Sequence, residues 1–390
     1  MSFAQGRAVV AIPGPSPVPD RVLRAMHRPS PDIYGPDLLA ENQHMIAQLK
    51  RLAGTTAHCA PYIGNGHAAW EAANVNLFNR GERALVITSG HFGRSWAGSA
   101  RPLGIEVEEL DFGTLPPDPQ RLADRLAQDR DHGITAVLVC QVDTASSARA
   151  DIPALRAAMG DHPALFGVDA IASLGCEPLM MDEWGIDLLV SASQKGLMVP
   201  PGLALVWFSE RVRARGRSTL ATPYWDWHPR TEAEQLWQFW GGTPPVQHIF
   251  GMNAALDLLL DEETLPVAWR RHEVLAQATW AALETWGKDG SGIAPMVADP
   301  KGRARSVTAV AMPRATELRQ WTQQVAGVTL GVGLGAENPD AALRIAHMGH
   351  ANAHQLLGTL AVIEAGMDAL GIPYTPGGTA AAARLIAQSA

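Results

Sequence analysis

Short apolar runs alternate with amphipathic stretches through the first two thirds of the chain. Ala84–Thr88, Ile105–Val107, Ala136–Val142, Leu165–Val168, Leu188–Ser191 and Leu203–Phe208 are each too short for a helix. Their largely unbroken apolar character predicts strands covered on both faces. Asp37–Leu52 precedes them with helical spacing, and Ala68–Leu77, Pro119–Ala127, Pro153–Met159 and Met181–Trp184 predict helices or helical turns between them. Alternation of this kind implies a doubly wound, mostly parallel sheet whose ligands sit at the carboxyl ends of its strands.

After Trp240 the pattern changes. Val246–Leu260 and Leu265–Trp286 are apolar at helical period, weaker strands follow at Ser306–Met312 and Leu343–His347, and Ala353–Leu370 closes with another helix. The tail from Pro373 is rich in Gly and Ala and predicts a surface helix. Before all of this, Ala11–Pro19 alternates Pro, Gly and Ser and suits neither a helix nor a central strand. The expected organisation is an arm over 1–19, a large α/β domain over 20–261 and a smaller α+β domain over 262–390, divided at the acidic break near Asp261.

Composition narrows the class without naming it. With 390 residues, 47% hydrophobic and 18% charged, the chain has enough apolar side chains for a large core. A net charge of -8 disfavours general nucleic-acid binding, which needs a basic surface. No apolar run reaches membrane-spanning length, and Met1–Ala11 lacks the layout of a signal peptide. Cys59, Cys140 and Cys176 fit neither a disulfide framework nor a metal knuckle, so no metal is expected and the expected location is the reducing cytoplasm. Twelve tryptophans are many, and Trp225, Trp227, Trp237 and Trp240 cluster in a way that suits core or interface packing.

Four features at the ends of these elements carry chemistry. Ser193-Gln194-Lys195-Gly196 directly follows a strand, which aims a lysine into the ligand crevice. A Schiff-base lysine needs that placement, desolvated but within reach of an aldehyde; alone, a solvated loop lysine reads as well. Phe166-Gly167-Val168-Asp169 ends a strand in a carboxylate. Pyridoxal chemistry needs an acid at the ring nitrogen, although a helix cap has the same signature. Gly64-Asn65-Gly66-His67 opens an Ala-rich helix and offers backbone amides to a phosphate. Arg344 sits inside an apolar strand, where it pairs either with a substrate carboxylate or with a structural Asp or Glu.

Together these residues resemble class V, fold-type-I aminotransferases that use pyridoxal 5'-phosphate, in their alanine–glyoxylate and serine–glyoxylate branch. The resemblance runs from Pro13-Gly14-Pro15-Ser16 to Leu357-Gly358-Thr359-Leu360, and the run from Ser193 to Leu203 is its most specific piece. Asp182–Asp187 and Thr243-Pro244-Pro245 also fit. It implies that Lys195 forms the internal aldimine and shuttles the proton, with Asp169 on the pyridinium nitrogen. By the same resemblance Phe92 stacks on the ring and Thr144 meets the ring oxygen. Gln194 and the Gly66–His67 turn would hold the phosphate, with the partner subunit's Trp240 and the partner subunit's Thr243. Arg344 would bind the substrate carboxylate, with Gly14 and Ser16 lining the substrate side. A homodimer with shared sites follows from the same likeness. Three departures fall near the site: Asn65 stands where a serine or threonine is usual, Phe92 where tryptophan or tyrosine is frequent, and Ser146-Ser147 where Thr-Gly is usual.

The activity this implies is transamination between a small amino acid and a 2-oxo acid such as glyoxylate or pyruvate. Asn65 raises a variant that uses free pyridoxamine as substrate, while the intact Gln194-Lys195-Gly196 run argues against it. A sulfur-removing lyase of the same fold needs a cysteine in the small domain, and Gly331–Ala342 has none. A degenerate cofactor-binding scaffold is at odds with the presence of both Lys195 and Asp169.

Overall fold

The computed structural model describes residues 2–390, and Met1, the first residue of the expected arm, lies outside them. After β1 (Val9–Ala11), seven strands build the larger sheet: β2 (His58–Gly64), β3 (Arg83–Thr88), β4 (Glu106–Asp111), β5 (Ile134–Cys140), β6 (Leu165–Asp169), β7 (Leu188–Ala192) and β8 (Gly202–Phe208). Their spatial order is β2-β8-β7-β6-β5-β3-β4. β4, β3, β5, β6 and β7 pair in parallel, and β8 alone runs against its neighbours β7 and β2. The doubly wound α/β architecture read from the alternating pattern is the one observed.

Both faces of this sheet are covered, which explains its unbroken apolar strands. Val137, Val139, Phe166, Val168 and Leu189 enter one apolar layer, while Ala136, Leu138, Leu165, Leu188 and Val190 enter the other. Successive side chains therefore feed opposite layers, as the two-residue period of a strand requires.

The second sheet comprises β1 with β9 (Ala294–Pro295), β10 (Val307–Ala311), β11 (Val328–Val332) and β12 (Ala342–Ala346), in the order β1-β11-β12-β10-β9. The arm is thus tied to this sheet, because β1 pairs in parallel with β11 through Val9–Val328 and Ala11–Leu330. Leu343, Ile345, Val310 and Leu330 face the helices Leu265–Trp286 and Ala353–Leu370. Val307 faces the other way, toward Val142, Ala172 and Cys176 of the larger sheet's loops. Arg344 points to this second face, the one that meets the large sheet.

Several elements were invisible to the hydrophobic pattern. β2 has Pro61 at its centre and was not expected; the position is tolerated because β2 is an edge strand bonded only to β8. Helices at Asp20–Met26, His91–Ala100 and Ala315–Ala326 and the strand β11 were also not expected. Met181–Trp184 forms turns, and the helix Val246–Asp257 ends in a wider turn over Leu258–Glu262. No helix among the described residues is long and apolar enough to cross a membrane.

Candidate active site

The carboxyl ends of β6 and β7 lie side by side, with Asp169 opposite Val190; β6 ends in Asp169, and the turn after β7 carries Lys195. A single pocket there is lined by Gly66, His67, Phe92, Thr144, Asp169, Gln194 and Lys195, together with Trp70 and Ile171. Residues separated by as many as 129 positions in sequence converge here because each follows or opens an element of the same sheet edge.

Asp169 is buried at 4% exposure. Its Oδ1 accepts the Ile171 amide at 2.7 Å, and its Oδ2 accepts the Trp70 indole N–H at 2.9 Å and the Cys140 thiol at 3.4 Å. The local Ile171 bond is a cap-like turn, but the two long-range donors go beyond capping. Burial pushes the carboxyl up to about 6, against these hydrogen bonds, which favour the charged form. The same carboxylate and burial hold the Cys140 thiol far above its ordinary range.

Lys195 Nζ donates to the Pro13 carbonyl. Burial, assisted by the Arg344 charge, lowers its ammonium to about 8, so the neutral amine becomes accessible near neutral pH. The arm holds this lysine on three sides. Ser16 Oγ donates to the Lys195 carbonyl at 2.6 Å, and the Ser16 amide donates to the Gln194 carbonyl at 2.9 Å. Gly14 has φ +113, and a Cβ there would come within 2.6 Å of Lys195 Cε, so glycine is required by both backbone and space. Gly14 and Ser16 therefore brace the lysine, and the Ser16 hydroxyl is already committed to it.

Phe92 opens the helix His91–Ala100 over the pocket. Asp143, from the loop after β5, caps that helix: its Oδ2 accepts the amides of Phe92 at 2.7 Å and Gly93 at 3.1 Å. At the phosphate turn, Asn65 Oδ1 accepts the His67 amide at 3.0 Å. The asparagine is thus a helix cap, and it occupies one donor that an anion would otherwise receive. Gly66 packs so closely that a Cβ would lie 2.6 Å from Ile171 Cδ1, and the buried Oε1 of the half-buried Gln194 has no partner.

Arg344 reaches the site from β12. It is 7% exposed, donates from Nε to the Val332 carbonyl at 2.7 Å and from Nη1 to the Thr144 carbonyl at 2.9 Å. No ion pair to it forms among the described residues, so the structural Asp or Glu partner is absent. Burial lowers its guanidinium to about 10.

Trp240 does not line this pocket. It is fully buried, and its indole N–H donates to Asn42 Oδ1 at 2.9 Å within the same chain. Its indole N–H is thus engaged within its own chain, and its ring packs in the core. Thr243, three residues on, is exposed. The sequence assigns no role in the site to Asp143, Trp70 or Cys140, and marks Ser147 only as a departure from the usual glycine. The only sequence signal for Asp143 was its position directly before Thr144.

A pocket with a buried acid at its floor, a desolvated lysine, an aromatic wall and a glycine-lined helix start fits pyridoxal 5'-phosphate. The aminotransferase class-V family model matches residues 59–320. The serine–glyoxylate aminotransferase of Methylorubrum extorquens is 33% identical, covering 97% of this chain and 95% of that one. The L-aspartate–glyoxylate aminotransferase of Paracoccus denitrificans is 30% identical over 96% of this chain and 95% of its own. Among solved structures, pyridoxamine–pyruvate aminotransferase from Mesorhizobium loti superposes with a TM-score of 0.90 at 26% identity, covering 100% of both chains.

Proposed function

The chain belongs to the class-V aminotransferases, whose cofactor is pyridoxal phosphate, and on that premise we propose that it moves an amino group between a small amino acid and a 2-oxo acid such as glyoxylate or pyruvate. The observation that carries this reading is Arg344: a buried guanidinium beside Lys195 with two carbonyl partners and, among the described residues, no acid in ion-pair contact. A buried cation without a counter-charge is costly at rest and is satisfied by a carboxylate that arrives with the substrate.

Asp169 would hold the ring nitrogen, Phe92 the ring face, Thr144 the ring oxygen, and Gln194 with the Gly66–His67 turn the phosphate. Bound there, the cofactor supplies a reactive aldehyde and an electron sink. Lys195 Nζ is the atom that takes up and returns the proton at the substrate α-carbon, and its amine is neutral above about pH 8. Pro13, Gly14 and Ser16 orient that amine and exclude water from its inner side.

The reading extends to a homodimer in the cytoplasm. Ile63, Tyr224 and Trp237 are exposed apolar residues, and the Tyr224 hydroxyl donates to the Ile63 carbonyl at 3.4 Å beside the phosphate turn. Such a patch suits a second copy that brings the partner's Thr243 to the phosphate. The three cysteines are free and buried, which fits a reducing compartment.

A second reading, in which free pyridoxamine is a substrate, is favoured by one observation. Asn65 takes the His67 amide and leaves the anion cup a donor short. Exhaustive dialysis of the purified protein separates the two. Retention of the cofactor's visible absorbance supports the first reading, and its loss, with turnover restored by free pyridoxamine and pyruvate, supports the second.

A further inference from the structure

The loop Asp143–Ala148 spans the gap between the two sheets, and Ser147 is its strained point. Ser147 has φ +59, the left-handed region that L side chains rarely adopt, and it is buried at 3% exposure. Its amide donates to the Asp143 carbonyl at 2.8 Å, and its carbonyl accepts the Ala304 amide at 3.0 Å. A glycine would make both of those bonds and would relax into this backbone without strain. What serine adds is the hydroxyl, and Ser147 Oγ accepts the Ala309 amide at 3.1 Å.

Ala309 is the residue of β10 that stands in register with Arg344 of β12. Thr144, in the same loop, accepts Arg344 Nη1 on its carbonyl at 2.9 Å. One loop therefore fixes the arginine from two directions, at its guanidinium through Thr144 and, through Ser147, at the strand paired with its own. The loop is in turn fixed to the cofactor side. Asp143 caps the helix that carries Phe92, and Ser146 Oγ donates to the Ser89 carbonyl at 2.6 Å.

We propose that Ser147 is a positioning residue for the substrate carboxylate: its hydroxyl pins β10 to the cofactor-side loop and so sets the reach between Arg344 and Lys195. The inference rests on Arg344 as the carboxylate clamp. A carboxylate held by a guanidinium fork tolerates little displacement, so a shift of β10 is felt as weaker binding of every carboxylate-bearing ligand.

Ser147→Gly and Ser147→Ala test this in the holoenzyme, beside Arg344→Lys. Both serine variants lose the hydroxyl, but only alanine keeps the strained backbone, so the pair separates positioning from stability. The measurements are KM and kcat for amino acid and 2-oxo acid, turnover of a primary amine without a carboxylate, calorimetric affinity for propionate, and melting temperature. Both variants are expected to raise KM and the propionate dissociation constant about fivefold, as for one lost hydrogen bond. Turnover of the carboxylate-free amine should hold, and the melting temperatures should differ between glycine and alanine. Unchanged propionate affinity in Ser147→Gly, or affinity that simply tracks melting temperature, overturns the proposal. If Arg344→Lys weakens propionate while the serine variants do not, Ser147 is rejected and the clamp stands. If Arg344→Lys leaves propionate affinity intact, the clamp itself fails, and the proposal with it.

Discussion

The two buried charges of the site are settled in opposite ways. Asp169, at the end of β6, has three donors on its two oxygens, all from its own sheet and the helix above it. Arg344, on β12 of the other sheet, bonds two backbone carbonyls and, among the described residues, has no acid in ion-pair contact. The first is held as it would be for a resident group that never leaves. The second is left charged and incomplete, as suits a ligand that comes and goes. On the proposed reading the contrast also divides the labour between the sheets: the large one would fix the cofactor, and the small one, with the arm, would meet the substrate.

Breaking the resident pole should have the larger effect. Asp169→Asn removes the charge that would keep the ring nitrogen protonated, and turnover should fall by several orders of magnitude with cofactor still bound. A helix cap alone would cost about 1 kcal/mol of stability and leave turnover per folded molecule near normal. The same variant has a pH signature in the cofactor-free protein. Burial raises the folded-state carboxyl from its ordinary value to about 6. The folded protein therefore binds the proton more tightly than the unfolded chain, and Asp169 costs stability as pH rises from about 4 through 6. Thermal melts of apo-protein at pH 5 and pH 8 should show Asp169→Asn gaining on wild type at the higher pH. A gain that is larger at pH 5 would mean the sign of the shift is wrong.

Breaking the transient pole should cost less. Arg344→Lys keeps a charge but loses the fork, and affinity for amino acid and 2-oxo acid should fall about 10- to 100-fold, the range of a charge-assisted bond. Cofactor retention and melting temperature should change little, because the resting arginine has no acid to orphan. A drop in stability on the scale of roughly 3–5 kcal/mol, as for a broken buried ion pair, would instead reveal a structural partner. Equal losses for carboxylate-free amines would remove Arg344 from the site.

What was legible in the sequence follows the reach of each interaction. The strands of the large sheet were readable because burial on both faces makes each a continuous apolar run, and Asp169 and Lys195 were readable because each ends such a run. β2 was hidden by Pro61, which argues against a central strand and is harmless only at the edge where β2 lies. The helix His91–Ala100 carries two glycines and two serines, and its cap is Asp143, 51 residues from Phe92 and so outside any local pattern. Trp70 and Cys140 met Asp169 only through folding, across 99 and 29 positions. The acceptor of the Trp240 indole N–H, Asn42, is likewise 198 residues away.

The central claim is that Lys195 is the residue that carries the cofactor, and the chain makes this simple to test. It has only four lysines, Lys50, Lys195, Lys288 and Lys301. Borohydride reduction of the holoenzyme, followed by digestion and mass spectrometry, should place the reduced cofactor on the peptide containing Ser193-Gln194-Lys195-Gly196 and on no other. Label on Lys50, Lys288 or Lys301 with Lys195 unmodified would contradict the account.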